Sequence, residues 1–380
     1  MKILLLKGVS QYGAMRNYID HWNYILQEKG YETYIIDISA GVNVEQLSHF
    51  ITSQRPNLVL ACNAICGKIA ENAVAGFGKY VTVLYDNPVI HTGHLKELGE
   101  NSAVFSCDAI YADYIREHYP AIGYVGFLPL SGDAAKQLIP YEQRNCDLLF
   151  TGSYFNVNKA YETLCELPVD LRGIAMQVAQ EMIDHPSLVL WESLDKVLAA
   201  FDINLSMKQK EVLLDTFRCI DIFVRAYIRD KVMHSIVGSQ IPIHIFGNGW
   251  EEFSCKHPEN LILHEGYGEV AMTVLADTKL SLNIMPWFRA GIQERNIAAM
   301  LAGTVSVTDS SLYIEENFTD GEDIVLYSLE RLEELPGIIT GCLEDTERSR
   351  EIAERGYEKA VNGHTWKHRI EQLLSELNLV

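Results

Sequence analysis

Short apolar segments alternate with amphipathic segments of helical length along the first 142 residues. The clearest apolar segment is Tyr80–Tyr85 (YVTVLY), which is uncharged and rich in β-branched and aromatic residues, as expected of a strand buried on both faces. Buried strands that alternate with helices predict a parallel sheet covered by helices on both sides. The predicted strands are Ile3–Leu6, Thr33–Ile38, Asn57–Cys62, Tyr80–Tyr85, Ala103–Ser106 and Tyr124–Leu128.

The same alternation begins again near Pro140, and the chain has helical character from Lys159 to about Ile236. We therefore predict an α/β protein with two Rossmann-like domains facing each other across a cleft. The predicted domains are 1–142, 143–345 with a helical insertion at about 159–236, and 346–380, whose helices could pack against the first domain. The predicted strands of the second domain are Cys146–Phe150, Ile241–Phe246, Leu261–His264, Leu280–Ile284 and Thr304–Thr308.

The charge of the chain argues against some classes of partner. The chain has 31 Lys and Arg and 51 Asp and Glu, a net charge of −20, of which residues 1–142 contribute −4. Such a surface repels phosphate backbones and anionic lipids, so we expect no nucleic-acid partner. An anionic ligand in the more acidic second half needs local cations or backbone N–H groups.

The eight cysteines are scattered without a Cys-x-x-Cys pair, which is typical of reduced thiols in a cytoplasmic protein. The opening residues MKILLLK are too short for the apolar part of a signal peptide, and we predict that they form a strand. No apolar run reaches the ~18 residues that a membrane span needs, so we expect no transmembrane segment.

Asp86, Asn87 and Pro88 directly follow the strand Tyr80–Tyr85, and His91 comes soon after. Ligands of open parallel sheets bind beyond the carboxyl ends of the strands. A carboxylate and an imidazole at such an end can act as general base for an attacking hydroxyl, so Asp86 and His91 are the predicted catalytic residues. The alternative is a helix cap followed by an Asn-Pro turn.

The segment Leu280–Gly303 (LSLNIMPWFRAGIQERNIAAMLAG) is the most informative part of the second half. Its strand ends at about Asn283, and Gly291 precedes a helix start, where unpaired N–H groups and the helix dipole attract anions. Arg289 and Arg295 add positive charge that can hold a diphosphate leaving group without a metal. The alternative is that each arginine forms an ion pair with an acidic neighbour.

Two other segments of the second half give weaker signals. Gly152 and Ser153 follow a predicted strand, and small residues there let backbone N–H groups approach a pyrophosphate. The acidic stretch Tyr313–Asp323 contains Glu315, whose carboxylate could bind sugar or ribose hydroxyls or lie in solvent. The triplet Asp320-Gly321-Glu322 within it does not follow a buried strand, as a metal-binding D-x-D motif would, so we expect no metal site.

Five segments between residues 145 and 340 stand out: CDLLFTGS, IPIHIFGNGW, LHEGY, LSLNIMPWFRAGIQERNIAAMLAGTVSVTD and ENFTDGEDIVLY. Through them, residues 145–340 resemble glycosyltransferase group 1 proteins, especially the CgeB-like branch of spore-maturation, glycosyltransferase-like proteins. The order and spacing of the segments are typical of the GT-B type of glycosyltransferase.

The resemblance implies that the second domain binds a nucleotide-activated sugar and that the first domain binds the acceptor. It assigns roles to seven residues of the second domain. These are Gly152 and Ser153 by the phosphates, Gly247 and Tyr267 beside the nucleoside, and Asn283, Gly291 and Arg295 near the diphosphate or the sugar.

One position departs from the family pattern. Family members usually have a glutamate three residues after the arginine, and it holds the ribose hydroxyls, whereas this chain has Ala298 there. A methyl group cannot accept a hydrogen bond. Either Glu294, Glu315 or Glu316 replaces the missing carboxylate, or donor binding is altered or lost.

The sequence thus predicts a metal-independent glycosyltransferase that moves a sugar from a nucleotide-activated donor to a hydroxyl of a glycan or protein, without a cofactor. The main alternative, motivated by Ala298, is a non-catalytic module that binds a nucleotide or a glycan. An epimerase-like hydrolase and a scaffold partner in a glycosylation complex are further alternatives. The helical insertion could also mediate a homodimer.

Overall fold

The computed structural model describes residues 1–10, 13–135, 137–239, 241–266, 269–286 and 288–379. The chain divides into two compact units, Met1–Gly132 with Gly363–Val380, and Asp133–Asn362. Each unit contains a six-stranded sheet whose strands all pair in parallel. The predicted α/β architecture with two Rossmann-like domains is therefore confirmed.

The sheet of the first unit has the strand order β2-β1-β3-β4-β5-β6. Every residue of β3 and β5 is buried, which explains why these segments are continuous apolar runs. The elements are β1 Lys2–Lys7, α1 Ala14–Glu28, β2 Glu32–Asp37, α2 Val44–Gln54, β3 Leu58–Cys62, α3 Gly67–Val74, β4 Lys79–Leu84, α4 Thr92–Leu95, β5 Ser102–Ser106, α5 Ala109–His118 and β6 Tyr124–Phe127.

The sheet of the second unit has the strand order β12-β11-β10-β7-β8-β9, and the predicted helical insertion is confirmed as α6 to α10. The elements are β7 Cys146–Thr151, α6 Val157–Cys165, α7 Val169–Asp184, α8 Leu190–Ala200, α9 Met207–Thr216, α10 Arg218–Gly238, β8 Ile243–Phe246, β9 Leu261–His264, α11 Glu269–Ala276, β10 Thr278–Leu282, α12 Glu294–Leu301, β11 Val305–Thr308, α13 Leu312–Asn317, β12 Val325–Leu326, α14 Leu335–Glu344 and α15 Thr346–Gly363.

The final helix, α16 (Trp366–Glu376), belongs to the first unit, where it packs against α1. The Trp366 ring lies 4.6 Å from that of Tyr18 and 6.2 Å from that of Trp22, measured between ring centroids.

The units divide between Gly132 and Asp133, whereas the sequence placed this boundary at 142, and residues 346–362 belong to the second unit. Residues 133–142 join the second unit through contacts such as the hydrogen bond from Ala135 N to Leu301 O (3.0 Å).

The helix α14 begins at Leu335. Pro336 lies in its first turn, where the missing N–H costs nothing and the fixed φ suits a helix start. The residues before it form turns.

Arg144 is a buried cation that joins the amino-terminal ends of β10 and β11 to the segment before β7. Its guanidinium donates to Thr278 O (2.7 Å), Thr304 Oγ1 (2.9 Å), Ala302 O (3.0 Å) and Ile139 O (3.2 Å). Burial lowers the pKa of Arg144. The charge is therefore stabilised by an array of carbonyl and hydroxyl oxygens.

We expect Arg144→Met to destabilise the protein by about 3 kcal/mol, because it leaves several buried acceptors without a donor. Arg350→Met is the matched control, because Arg350 forms partly exposed ion pairs with Glu142 and Glu354. It should lower the free energy of unfolding by less than about 1 kcal/mol. Urea denaturation of both variants measures the difference. Equal losses of stability would contradict the structural role of Arg144.

Candidate functional site

In the second unit, the chain extends the sheet from β7 towards β9 and then crosses back to place β10 on the other side of β7. We call the point between β7 and β10, where the order of the strands in the sheet reverses, the strand reversal. Ligands of such sheets bind there, beyond the carboxyl ends of the two strands. Here those ends are Thr151 of β7 and Leu282 of β10, followed directly by Gly152 and Asn283. Both following residues are among those predicted from the sequence.

Two glycine-containing loops lie side by side next to this reversal. Gly152 N donates to Phe246 O (2.8 Å), and a Cβ atom at Gly247 would lie 2.1 Å from Gly152 O. Gly247 also has φ of 155°, which L side chains rarely adopt. The structure thus gives Gly247 a packing role in bringing the two loops together, whether or not it also contacts a ligand.

Arg295 lies in the first turn of α12 and points to the end of β7. Its Nη1 donates to Thr151 O, and its Nη2 donates to Gln293 Oε1 (2.5 Å). The guanidinium carbon lies 5.7 Å from the centre of the Phe150 ring. The predicted cation is therefore at the strand reversal.

Arg229 of α10 is a second cation at this place, and the sequence analysis missed it. Its Nη1 donates to Ser153 O, and its guanidinium carbon is also 5.7 Å from the centre of the Phe150 ring. A signal was available, because Arg229 lies three residues after buried Ala226 and four before buried Met233. A charged residue within the apolar stripe of a helix indicates a special role.

Asn283 is only 1% exposed and connects the ends of β10 and β11. Its Nδ2 donates to Thr308 Oγ1 (3.3 Å), and its backbone carbonyl accepts from the Tyr327 hydroxyl (2.8 Å). Its Oδ1 is buried and accepts no hydrogen bond from the described residues. A buried acceptor in this state calls for a water molecule or a ligand group.

Asp309 follows β11 and was not predicted from the sequence. It is 4% exposed, and its Oδ1 accepts from Met285 N (2.7 Å). Burial raises its pKa to about 7, against the opposing effects of the Met285 hydrogen bond and the positive charge of Arg295. Asp309 is thus a carboxyl group that titrates near neutral pH, just beyond the carboxyl end of β11 and within reach of the charge of Arg295.

The loop before α12 is held by two neighbouring helices. Arg289 Nη1 donates to both carboxylate oxygens of Glu192 in α8, each at 2.7 Å. Gly291 O accepts from the Ser311 hydroxyl (2.6 Å). The ion pair that the sequence left open as an alternative is therefore present at Arg289.

A cavity of about 640 Å³ opens beside the ends of β11 and β12. It brings together Arg289 and Glu315 of the predicted residues, and Ser310 Oγ donates to Glu315 Oε1 (3.0 Å). Hydroxyl and carboxyl groups dominate its polar lining, which includes Asp309, Ser310, Ser311, Asp320, Tyr327 and Ser328. Such a lining suits a ligand with many hydroxyl groups.

The nucleoside contacts expected from the resemblance are only partly visible. Tyr267 lies outside the described residues. Ala298 is 8% exposed and packs in an apolar cluster with Leu149, Phe246 and Leu275. The position where the resemblance leads us to expect a glutamate is here part of an apolar cluster.

In the first unit, Asp86 and His91 lie close to each other after β4. Asp86 Oδ2 is 3.8 Å from His91 Nε2 and accepts a hydrogen bond from Asn63 Nδ2 (2.8 Å). His91 is buried, and its Nε2 makes no hydrogen bond within the described part of the chain. The sequence analysis did not identify Asn63.

The described residues contain no group of three or more His, Cys, Asp or Glu side chains that could hold a metal ion. Among the same residues, no helix has both the length and the apolar character needed to cross a membrane.

We expect Gly247→Ala to destabilise the protein by about 2–4 kcal/mol, because its Cβ would collide with Gly152 O and its φ is unfavourable. The matched control is Gly173→Ala, at an exposed position in α7 with no atom near the new methyl group. It should raise stability by roughly 0.5–1 kcal/mol. If Gly247→Ala and the wild type have the same urea midpoint of unfolding, the two loops do not approach each other as closely as described.

Asp309 should make stability fall as the pH rises. The unfolded carboxyl loses its proton near 3.8, whereas the folded one keeps it up to about 7, so the folded state binds more protons between these values. The free energy of unfolding should therefore decrease over this range, by up to about 1.4 kcal/mol per pH unit. Asp309→Asn should remove this decrease, and parallel stability curves for variant and wild type would contradict the role of burial.

Residues 225–375 match the family model described as glycosyl transferase-like. No curated protein is significantly similar in sequence.

Solved structures show the same fold at low identity. An α-glucosyltransferase in complex with UDP is 10% identical, with a TM-score of 0.60 and full coverage of both chains. HepE of Anabaena in complex with UDP is 12% identical, with a TM-score of 0.57 and full coverage of both chains.

TarM is 11% identical, with a TM-score of 0.52; the alignment covers 88% of this chain and 58% of TarM. These likenesses concern the fold. Residues 225–375 are thus similar to glycosyl transferase-like domains, in a chain that has the GT-B fold.

Proposed function

We propose that the protein transfers a sugar from a nucleotide-activated donor to a hydroxyl of a glycan or protein acceptor, without a metal ion. The observation that carries this proposal is the pair of guanidinium groups, Arg229 and Arg295, at the carboxyl end of β7. They lie where a doubly wound sheet binds its ligand, in an otherwise acidic chain.

The two arginines would bind the diphosphate of the donor. Each donates to a backbone carbonyl at the end of β7, and a phosphate oxygen is a stronger acceptor for a guanidinium because it is charged. In the reaction the bond between the anomeric carbon and the diphosphate oxygen breaks, and the nucleoside diphosphate leaves with the electron pair. Two fixed cations stabilise that growing negative charge, which is the role a metal ion plays elsewhere.

The cavity beside β11 and β12 would receive the sugar of the donor. Its serine hydroxyls and the carboxyl groups of Asp309 and Glu315 can pair with sugar hydroxyls. The unsatisfied Oδ1 of Asn283 provides one further acceptor close to the strand reversal. Gly152, Ser153, Gly247, Gly291 and Tyr267 stay predicted contacts of the phosphates and the nucleoside.

The acceptor would bind to the first unit, where Asp86 takes the proton of the attacking hydroxyl as its oxygen bonds to the anomeric carbon. His91, which lies 3.8 Å from Asp86 Oδ2, would take part in this proton transfer. The homodimer through the inserted helices and a cytoplasmic location stay predictions of the sequence.

A binding module without catalytic activity is the second candidate, and Ala298 favours it. The side chain packs in an apolar cluster, so no carboxylate is available from this position for the ribose hydroxyls. Such a module would bind a nucleotide or a glycan without breaking the glycosidic bond.

Titration with UDP, GDP, dTDP, CDP and CMP in a thermal unfolding assay tests donor binding. A nucleotide at 100 times its Kd should stabilise the protein by about 2.7 kcal/mol. Arg229→Ala and Arg295→Ala should remove most of this shift, whereas Arg225→Ala, on the same helix and paired with Asp221 (2.9 Å), should keep it.

Three outcomes would contradict the proposal. No shift with any nucleotide at millimolar concentration would exclude a nucleotide-dependent transferase. A shift without release of nucleotide from the matching nucleotide sugar would favour the binding module. Loss of transfer on treatment with EDTA would exclude the metal-independent mechanism.

A further inference from the structure

The loop after β3 in the first unit has an unusual backbone. Asn63, Ala64 and Cys66 have φ values of 51°, 56° and 54°, in the left-handed region that non-glycine residues rarely occupy. Such strain persists only where the surrounding structure enforces it.

This loop lies at the strand reversal of the first sheet. The chain places β2 on one side of β1 and β3 on the other, so the reversal is between β1 and β3. The carboxyl end of β3 is Cys62, and Asn63 follows it directly. Asn63 therefore lies at the position where this type of sheet binds a ligand.

Hydrogen bonds between the loop and the neighbouring strand β4 hold the loop in place. Asn63 N donates to Val83 O (2.9 Å), and Ala64 N donates to Thr82 Oγ1 (2.8 Å). The Tyr80 hydroxyl donates to Ile65 O (2.9 Å). The conformation of the loop is thus tied to the strand that carries Asp86 at its end.

The side chain of Asn63 is fixed in one orientation. Its Oδ1 accepts from Tyr85 N (2.9 Å), so its amide nitrogen must face the other way. That nitrogen donates to Asp86 Oδ2 at 2.8 Å. Asn63 therefore fixes the backbone before Asp86 and the carboxylate of Asp86 at the same time.

We propose that Asn63 is a positioning residue for Asp86, an inference that rests on the proposed role of Asp86 as the base. The amide N–H favours the ionised carboxylate and holds it beside His91, whose Nε2 is 3.8 Å from the same oxygen. Asparagine suits this position because it tolerates the left-handed conformation and also carries the donor. The backbone strain is the cost of aiming that donor at Asp86.

Asn63→Gly tests this role, because glycine adopts the same φ but lacks the amide group. The assay is release of UDP from UDP-glucose, and then of the corresponding nucleotide from dTDP-glucose, GDP-mannose and CDP-glucose. We expect kcat to fall about tenfold or more, KM for the donor to stay within about twofold, and the acid limb of the kcat profile to move to higher pH. Ala64→Gly is the matched control; it changes a neighbouring left-handed residue and should leave kcat and the pH profile unchanged.

The second arm combines Asn63→Gly with Asp86→Asn. If Asn63 acts through Asp86, Asn63→Gly should have no further effect on kcat once Asp86 is replaced. Equal effects in both backgrounds would mean a purely structural role and overturn the inference. Full activity of Asp86→Asn would overturn Asp86 as the base, whereas loss of activity in Asp86→Asn with none in Asn63→Gly would overturn the role of Asn63 alone.

A carboxyl ¹³C NMR titration of Asp86 needs no nucleotide sugar. The pKa of Asp86 should be higher in Asn63→Gly than in the wild type, because the hydrogen bond to the charged form is lost. An unchanged pKa would contradict the inference whatever the activity assays show.

Discussion

The candidate site of the second unit depends on the carboxyl end of strand β7. The strand is central in its sheet. The chain adds β8 and β9 on one side of it and then β10, β11 and β12 on the other. The guanidinium groups of Arg229 and Arg295 bind the backbone carbonyls at this end and lie at equal distances from the Phe150 ring. These hydrogen bonds hold the two guanidinium groups in position at the end of β7.

The acidity of the chain makes the position of these two arginines important for binding an anion. With a net charge of −20, the protein attracts an anion only through a local concentration of positive charge. Carboxyl and hydroxyl groups make up most of the polar lining of the cavity beside β11 and β12, together with Arg289 and Arg331. A nucleotide sugar has both a charged diphosphate and a neutral polyhydroxyl ring, so its two parts match these two neighbouring environments.

The first unit shows a second use of a strand reversal. There, three residues with left-handed backbone follow β3, and two of them, Asn63 and Ala64, donate backbone hydrogen bonds to β4. The amide of Asn63 connects this loop to Asp86. Stored strain of this kind needs a rigid surrounding sheet, which the fully buried β3 provides.

The amino-acid sequence by itself determined the two parallel sheets, the inserted helices and the glycine loops at the strand ends. Their periodicity and small residues are local properties of the chain. Several site features depended on the tertiary structure. Arg229 is one of several charged residues in a long helix, and Asn63 precedes its partner Asp86 by a whole helix and strand. The pairing of Arg289 with Glu192 and the burial that raises the pKa of Asp309 likewise arise only when distant segments pack together. Sequence patterns describe neighbours along the chain, whereas charge, hydrogen bonding and burial at a site are decided by neighbours in space.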